Sequence, residues 1–340
     1  MRLSKLTCVV CAAAGTLAVA ACGSSGGGNS SSSGATIQAK VSISQVAGTA
    51  MYNSAVKFGK LLSQYTDGRV AVKVYPNSEL GSSASILQGC ESGTIAVCAE
   101  AGLSTADDAV QVPQTAYMFP SYAVMQAATN AAPVRAAFQP AFSKVGLSFM
   151  GFWGVGPSDI FTTSSAVNTP ADLHGLRLRV ANAYLGALQY SPLGADPVTL
   201  SSDQITTALS THLIDGMDEP ITTVTSAGWS AEMHNLSITQ DAFIQTPVAV
   251  SEKFMNGLPA ADRPAVEKAF LQTLSLNLSE STADETAALK QLESSGFNIV
   301  HPNVSAFKAA EAGALEKVEA KYPAITKLML GQVKTGQAGA

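Results

Sequence analysis

Arg177 and Arg179 alternate with Leu176, Leu178 and Val180. That alternation is the pattern of a strand with one apolar and one polar face, and it sets both arginines on the polar side. A planar guanidinium takes a carboxylate through two parallel hydrogen bonds. Carboxylate recognition is therefore the chemistry open to this pair, with two solvated arginines as the plain alternative. Catalysis has weaker candidates. His174, His212, His234 and His301 stand neither at i, i+4 nor at metal-ligand spacing from a cysteine or another histidine. Gly23-Ser24-Ser25-Gly26-Gly27 has the form of a hydrolase nucleophile turn, but no strand precedes it and no helix follows. The acid pairs Asp107-Asp108 and Asp218-Glu219 read as solvated surface carboxylates. Beyond Cys22 only Cys90 and Cys98 remain. In an oxidising location such a pair forms a disulfide, and elsewhere two small buried hydrophobes; spacing leaves both open.

The chain that positions these residues has 340 residues, room for about two domains at roughly 150 residues each. Apolar residues make up 46% and charged residues 13%, which excludes a disordered chain. Net charge is −5 without any Lys/Arg run, so no nucleic-acid partner is expected. Mean hydropathy is +0.20, yet past the N-terminus no stretch is long and apolar enough for a membrane span.

Residues 1–21 read as an export signal, with Arg2 and Lys5 ahead of an apolar stretch from Cys8 to Ala21. Its end, Val19-Ala20-Ala21-Cys22-Gly23, resembles a bacterial lipobox, which makes Cys22 the lipidation site. Ser24 to Gly34 contains only Ser, Gly and Asn, so residues 22–34 form a flexible tether. The expected location is extracytoplasmic, lipid-anchored to the bacterial membrane, in the periplasm or on the outer face of the cell membrane.

Strand-like and helix-like segments alternate through the body, which defines an α/β fold. Val41 to Ser44 is a strand, Thr49 to Tyr65 a helix, and Val70 to Tyr75 a half-buried strand after the Asp67-Gly68 turn. A helix follows Gly81, and Thr94 to Val97 is a further strand. Thr169-Pro170-Ala171-Asp172 is a helix start with an N-cap, Pro at N1 and an acid at N3. Leu176 to Val180 is a strand, Ser201 to Gln204 is another capping box, and Leu213 to Asp215 is a strand. From Asp262 to Ser295 the pattern is helical throughout, near 50 Å at 1.5 Å per residue. A helix of that length braces two domains.

Two stretches carry a family resemblance. The first runs from Asp67-Gly68-Arg69-Val70 through Tyr75-Pro76-Asn77-Ser78-Glu79-Leu80-Gly81 to Glu91-Ser92-Gly93-Thr94-Ile95. The second runs from Asn168-Thr169-Pro170-Ala171-Asp172-Leu173-His174-Gly175 through Arg179-Val180 and Leu193-Gly194-Ala195-Asp196-Pro197 to Asp215-Gly216-Met217-Asp218-Glu219-Pro220. From about Ile37 to Tyr322 the chain resembles the solute receptors of tripartite ATP-independent periplasmic (TRAP) transporters, the DctP-type family. The resemblance implies a two-lobed periplasmic-binding-protein fold with hinge strands, closing on an organic acid and delivering it to an ion-driven membrane permease. Lobe one is expected at 35–156 and 246–285, and lobe two at 157–245 and 286–340. No enzymatic activity is expected. The rival readings are a receptor of an ABC or tricarboxylate-type importer, and a secreted hydrolase.

The resemblance places the family's carboxylate-binding arginine on Arg179. It also exposes departures. Asp159 stands where many members carry a second arginine, and Glu219 where they carry a ligand-contacting asparagine. Two acids in a partly dry cleft repel a second carboxylate, so a solute with one carboxylate is expected. Either a cationic group on the solute or a metal ion bridging the acids to a keto or hydroxy acid relieves the conflict; otherwise no cofactor is expected. Trp153, Tyr184 and Glu100 fall near the family's pocket walls, with glycines flanking Trp153.

Overall fold

The computed structural model describes residues 36–337, so the expected export signal, Cys22 and the whole of the expected tether lie outside the described residues. The first strands and helices are β1 (Ile37–Ile43), α1 (Ala50–Tyr65), β2 (Val70–Tyr75), α2 (Ser83–Ser92) and β3 (Val97–Ala99). β1 lies between β2 and β3, parallel to both. Thr49 caps α1 by accepting from the Tyr52 N–H, and Gly93 ends α2 in the left-handed conformation, as a C-terminal glycine does. Cys90 and Cys98 are disulfide-bonded, tying α2 to β3. Strand β3 starts where the expected strand ends, because Ile95 is still bonded back to the Gly89 carbonyl.

Next come α3 (Tyr122–Thr129), α4 (Ala132–Lys144) and the 16-residue strand β4 (Leu147–Thr162). Then follow β5 (Arg177–Val180), α5 (Ala183–Tyr190), β6 (Asp196–Thr199), α6 (Ile205–Ser210), β7 (Gly216–Pro220) and α7 (Ile221–Ser226). The capping boxes at Thr169 and Ser201 both form, each on a short 3₁₀ turn. β7 begins after the expected Leu213 to Asp215 strand: Leu213 is 50% exposed, and the Asp215 carboxylate is held by both the backbone and the guanidinium of Arg177.

The chain closes with β8 (Asn235–Ser237), β9 (Phe243–Ser251), α8 (Glu252–Gly257), α9 (Arg263–Leu271), α10 (Leu274–Ser294), β10 (Asn298–Val300), α11 (Val304–Lys321) and α12 (Pro323–Gln337). Strand order is β2-β1-β3-β9-β4-β7-β5-β6, with β8 pairing β4 and β10. β4 joins the two halves: 147–157 pair with β9, and 158–162 pair with β7. Its ladder with β9 slips twice, between Phe149 and Gly151 and between Gly154 and Gly156. At the first slip the Asn130 side chain bonds both the N–H and C=O of Phe152. Next to the second, Asn277 does the same for Gly154.

The single long helix expected over Asp262 to Ser295 is two. Thr273 donates to the Phe270 carbonyl at 2.6 Å and accepts the Trp153 indole N–H at 2.8 Å, so the chain turns between α9 and α10. α10 still braces the fold: Leu274 packs with the core under β1 and β3, and Ala288 and Leu292 with the core under β7. Ile325, Met329 and Val333 of α12 join the core of Met125, Phe138 and Phe142, which also takes in Leu185 of α5 and Val318 of α11.

Candidate functional site

Residues after β1 (Ser44, Gln45), β2 (Asn77, Ser78) and β3 (Glu100, Ala101) face residues at the ends of β5, β6 and β7 across a cleft of about 1090 Å³. Ligands of open α/β sheets settle at the carboxyl ends of the strands, and here two sets of parallel strands aim those ends at one space. β4 and β9 supply its floor through Val155 and Ala242 to Pro247.

Arg179 comes from the last turn of β5's ladder and lines the cleft at 2% exposure. Its Nε and one terminal nitrogen donate to the Leu200 carbonyl, and the other terminal nitrogen pairs with the Glu219 carboxylate. Arg177, on the same strand, leans the other way in a half-exposed pair with Asp215. Glu219 therefore does line the cleft, but as a partner of Arg179 and not as a free repelling charge. Glu100 lines the opposite wall, accepting from Ser42 and Ser78. Burial outweighs those two bonds and pushes its carboxyl up to about 7.

Three expected wall residues lie elsewhere. Trp153 is core, fully buried between Phe58 and Phe270. Its flanking glycines open no cleft: a Cβ at Gly151 would strike Asn130 and one at Gly154 would strike the Tyr122 hydroxyl. Tyr184 is on the far face of α5 from Leu185, Gly186, Gln189 and Tyr190, which line the cleft. It packs edge-on to Tyr322, with the Lys321 ammonium 4.0 Å from its ring centre. Asp159 is opposite Glu219 in the ladder, yet it is fully buried behind the cleft, where Oδ1 accepts from the Gln240 N–H and Oδ2 has no partner. Burial pushes it up to about 8. Among the described residues no group of three or more His, Cys, Asp or Glu is arranged to hold a metal ion.

The sequence reading missed Asp218, which it set aside as a solvated neighbour of Glu219. Asp218 lines the cleft floor, accepts from Ser158, and is pushed well up by burial and by nearby Asp241. Asp241 in turn accepts from Tyr190 at 2.5 Å, and Glu311, 3% exposed, presents two oxygens without partners behind them. Gln189 and Gln245 were missed as well; both belong to the cleft lining, and each has a buried amide nitrogen without a partner.

A cleft between two sets of strand ends is the arrangement of a solute receptor, and known proteins agree. The family model described as DctP, bacterial extracellular solute-binding protein, family 7, matches residues 41–321. The chain belongs to that family. A solute-binding protein of Roseobacter denitrificans is 29% identical over 273 residues, covering 78% of this chain and 82% of its own. The sialic acid-binding periplasmic protein SiaP of Vibrio cholerae is 25% identical, covering 85% of this chain and 91% of its own. Among solved structures, a TRAP periplasmic solute-binding protein from Sulfitobacter sp. NAS-14.1 with bound β-D-galacturonate superposes with a TM-score of 0.77 at 21% identity, covering 86% of this chain and 98% of that one. The chain is thus a TRAP-type solute-binding receptor with the two-lobed α/β fold. Family members are periplasmic, and no described helix is long and apolar enough to cross a membrane.

Proposed function

We propose that this receptor binds a small organic acid with one carboxylate between its lobes, and delivers it to a TRAP permease without chemical change. The observation that carries this is Arg179, the one Lys or Arg side chain among the described residues lining the cleft. Leu200 holds one edge of its guanidinium, leaving the edge now facing Glu219 for exchange. An incoming carboxylate replaces one anion with another, so the buried cation is never left unpaired. A second carboxylate meets Asp218 and Glu100 instead. Sialic acid and galacturonate, named for the two relatives, are both monocarboxylates.

The reading needs no cofactor. It takes the lobes as 35–156 with 246–285 and α12, and 157–245 with the rest, since β4 changes partners at 157/158. Lipid attachment at Cys22 is part of the proposal, checked by mass spectrometry of the exported chain and its Cys22→Ala variant.

The test is calorimetry with organic acids found by thermal shift, where a ligand of the native state raises Tm. Arg179→Lys should weaken a carboxylate at least tenfold, because losing a buried charged partner costs about 2–5 kcal/mol. Unchanged affinity overturns the assignment.

A further inference from the structure

The cleft is electrically lopsided. Its charged side chains are Arg179 against Glu100, Asp203, Asp218 and Glu219, and Arg179 is already paired with Glu219. Asp203 is exposed and bonded to Ser201, and Glu100 is bonded to two serines. Asp218 is different. It lies at the floor, and no lysine or arginine among the described residues pairs with it. The ionisable groups acting on it are Asp241, Tyr190 and Glu219, none of them a cation. A carboxylate ringed by protein and other acids is costly to ionise unless a positive charge comes to it. Two further groups point to an occupant. Gln189 (4% exposed) and Gln245 (2% exposed) belong to the same cleft lining, and the amide nitrogen of each is buried without a partner. Buried N–H groups left open in this way are donors waiting for a ligand's oxygen.

We propose that the solute is a zwitterion, with its carboxylate on Arg179, a cationic nitrogen on Asp218, and oxygens on the Gln189 and Gln245 amides. The inference rests on the carboxylate reading of Arg179 and adds the charge at the solute's other end. Asp218 is then the residue that selects among organic acids. An amine-free acid leaves it without a counter-charge, and a dicarboxylate sets two anions against it.

The experiment is calorimetry at neutral pH on the exported protein with matched probes. The pairs are leucine against 2-hydroxy-4-methylpentanoate, phenylalanine against 3-phenyllactate, and 5-aminopentanoate against pentanoate, with glutarate and galacturonate added. At least one amino acid should bind tenfold or more tightly than its amine-free partner, and Asp218→Asn should bring that ratio within threefold. Asparagine keeps an oxygen for Ser158 while removing the charge. Amine-free partners binding as tightly as the amino acids overturn the inference and leave the Arg179 reading intact; this wild-type comparison decides even where the variant does not fold. Galacturonate binding by the wild type that Asp218→Asn weakens tenfold or more overturns it in favour of a hydroxyl-binding floor. No binding by any carboxylate overturns both readings.

Discussion

Arg179 and Glu219 form a buried pair that a ligand has to open, so removing Glu219's charge has two effects of opposite sign. In the ligand-free protein, Glu219→Gln strips a buried guanidinium of its counter-ion. Breaking such a pair costs about 3–5 kcal/mol where nothing else holds the survivor, and the two bonds to Leu200 keep the loss at the lower end or below. Tm should fall. For a carboxylate that Arg179→Lys loses, affinity should rise, because an internal competitor has gone. Calorimetry and a melting curve on one variant check both directions; a fall in both means that Glu219 contacts the solute directly. Asp159 gives a pH prediction. Its folded value of about 8 lies above an unfolded value near 3.9, so the folded state holds a proton that the unfolded chain releases. Its contribution is full at acid pH and lost as pH rises towards 8. Glu285 and Asp218 face it and push the same way. Melting temperature should drop between pH 5 and 9, and Asp159→Asn, which keeps an oxygen for Gln240, should flatten that slope. A slope unchanged in the variant would mean that other groups set it. Arg179 was legible because its motif and its strand alternation agree. Asp218 was not, since two adjacent acids look alike in sequence whether water or a cleft surrounds them.

Elements were readable where their cause is local. The capping boxes at Thr169 and Ser201 each depend on a few neighbouring residues, and each forms. The break between α9 and α10 depends on Trp153, which is 120 residues from Thr273, and periodicity within 262–295 carries no trace of it. Glycines mislead for the same reason: those beside Trp153 admit Asn130 and Tyr122 to the strand rather than opening a pocket. The asparagine contacts to β4 belong here too. Asn277 serves Gly154 as a neighbouring strand would, bonding its N–H at 2.7 Å and its C=O at 3.2 Å. Asn277→Leu leaves two buried donors, the Gly154 N–H and the Gln126 amide, without their partner and an acceptor with only the longer Ser281 bond, at about 1–3 kcal/mol for an unsatisfied group. A loss of about 3 kcal/mol in denaturant unfolding is expected, with the secondary-structure content unchanged. A loss below 0.5 kcal/mol would show that β4 does not depend on α10 at this point.

At the scale of the whole molecule, ligand contacts drawn from both sides of the cleft bias a hinged protein towards its closed state. The walls here are separate chain segments, Ser44 to Ala101 on one side and Arg179 to Ala227 on the other, so one solute touching both draws them together. The radius of gyration from small-angle scattering should fall when a verified carboxylate is added, and should not fall for Arg179→Lys at the same concentration. Compaction in that variant would place the closing contact elsewhere. The two-lobed α/β outline was legible from the alternation of elements and the resemblance.

β4 belongs to both halves of the sheet, pairing with β9 along its first part and with β7 and β8 along its last. The chain crosses between the halves again at β9, along α10, and before α12. Neither half is thus a continuous stretch of sequence that can be excised, expressed alone or exchanged between relatives as a cassette. No single cut in the gene separates the halves, because the first core needs segments from both ends of the chain. Solute preference in such an architecture drifts by point substitution along the cleft, at positions such as 100, 218 and 219, and not by recombination of lobes.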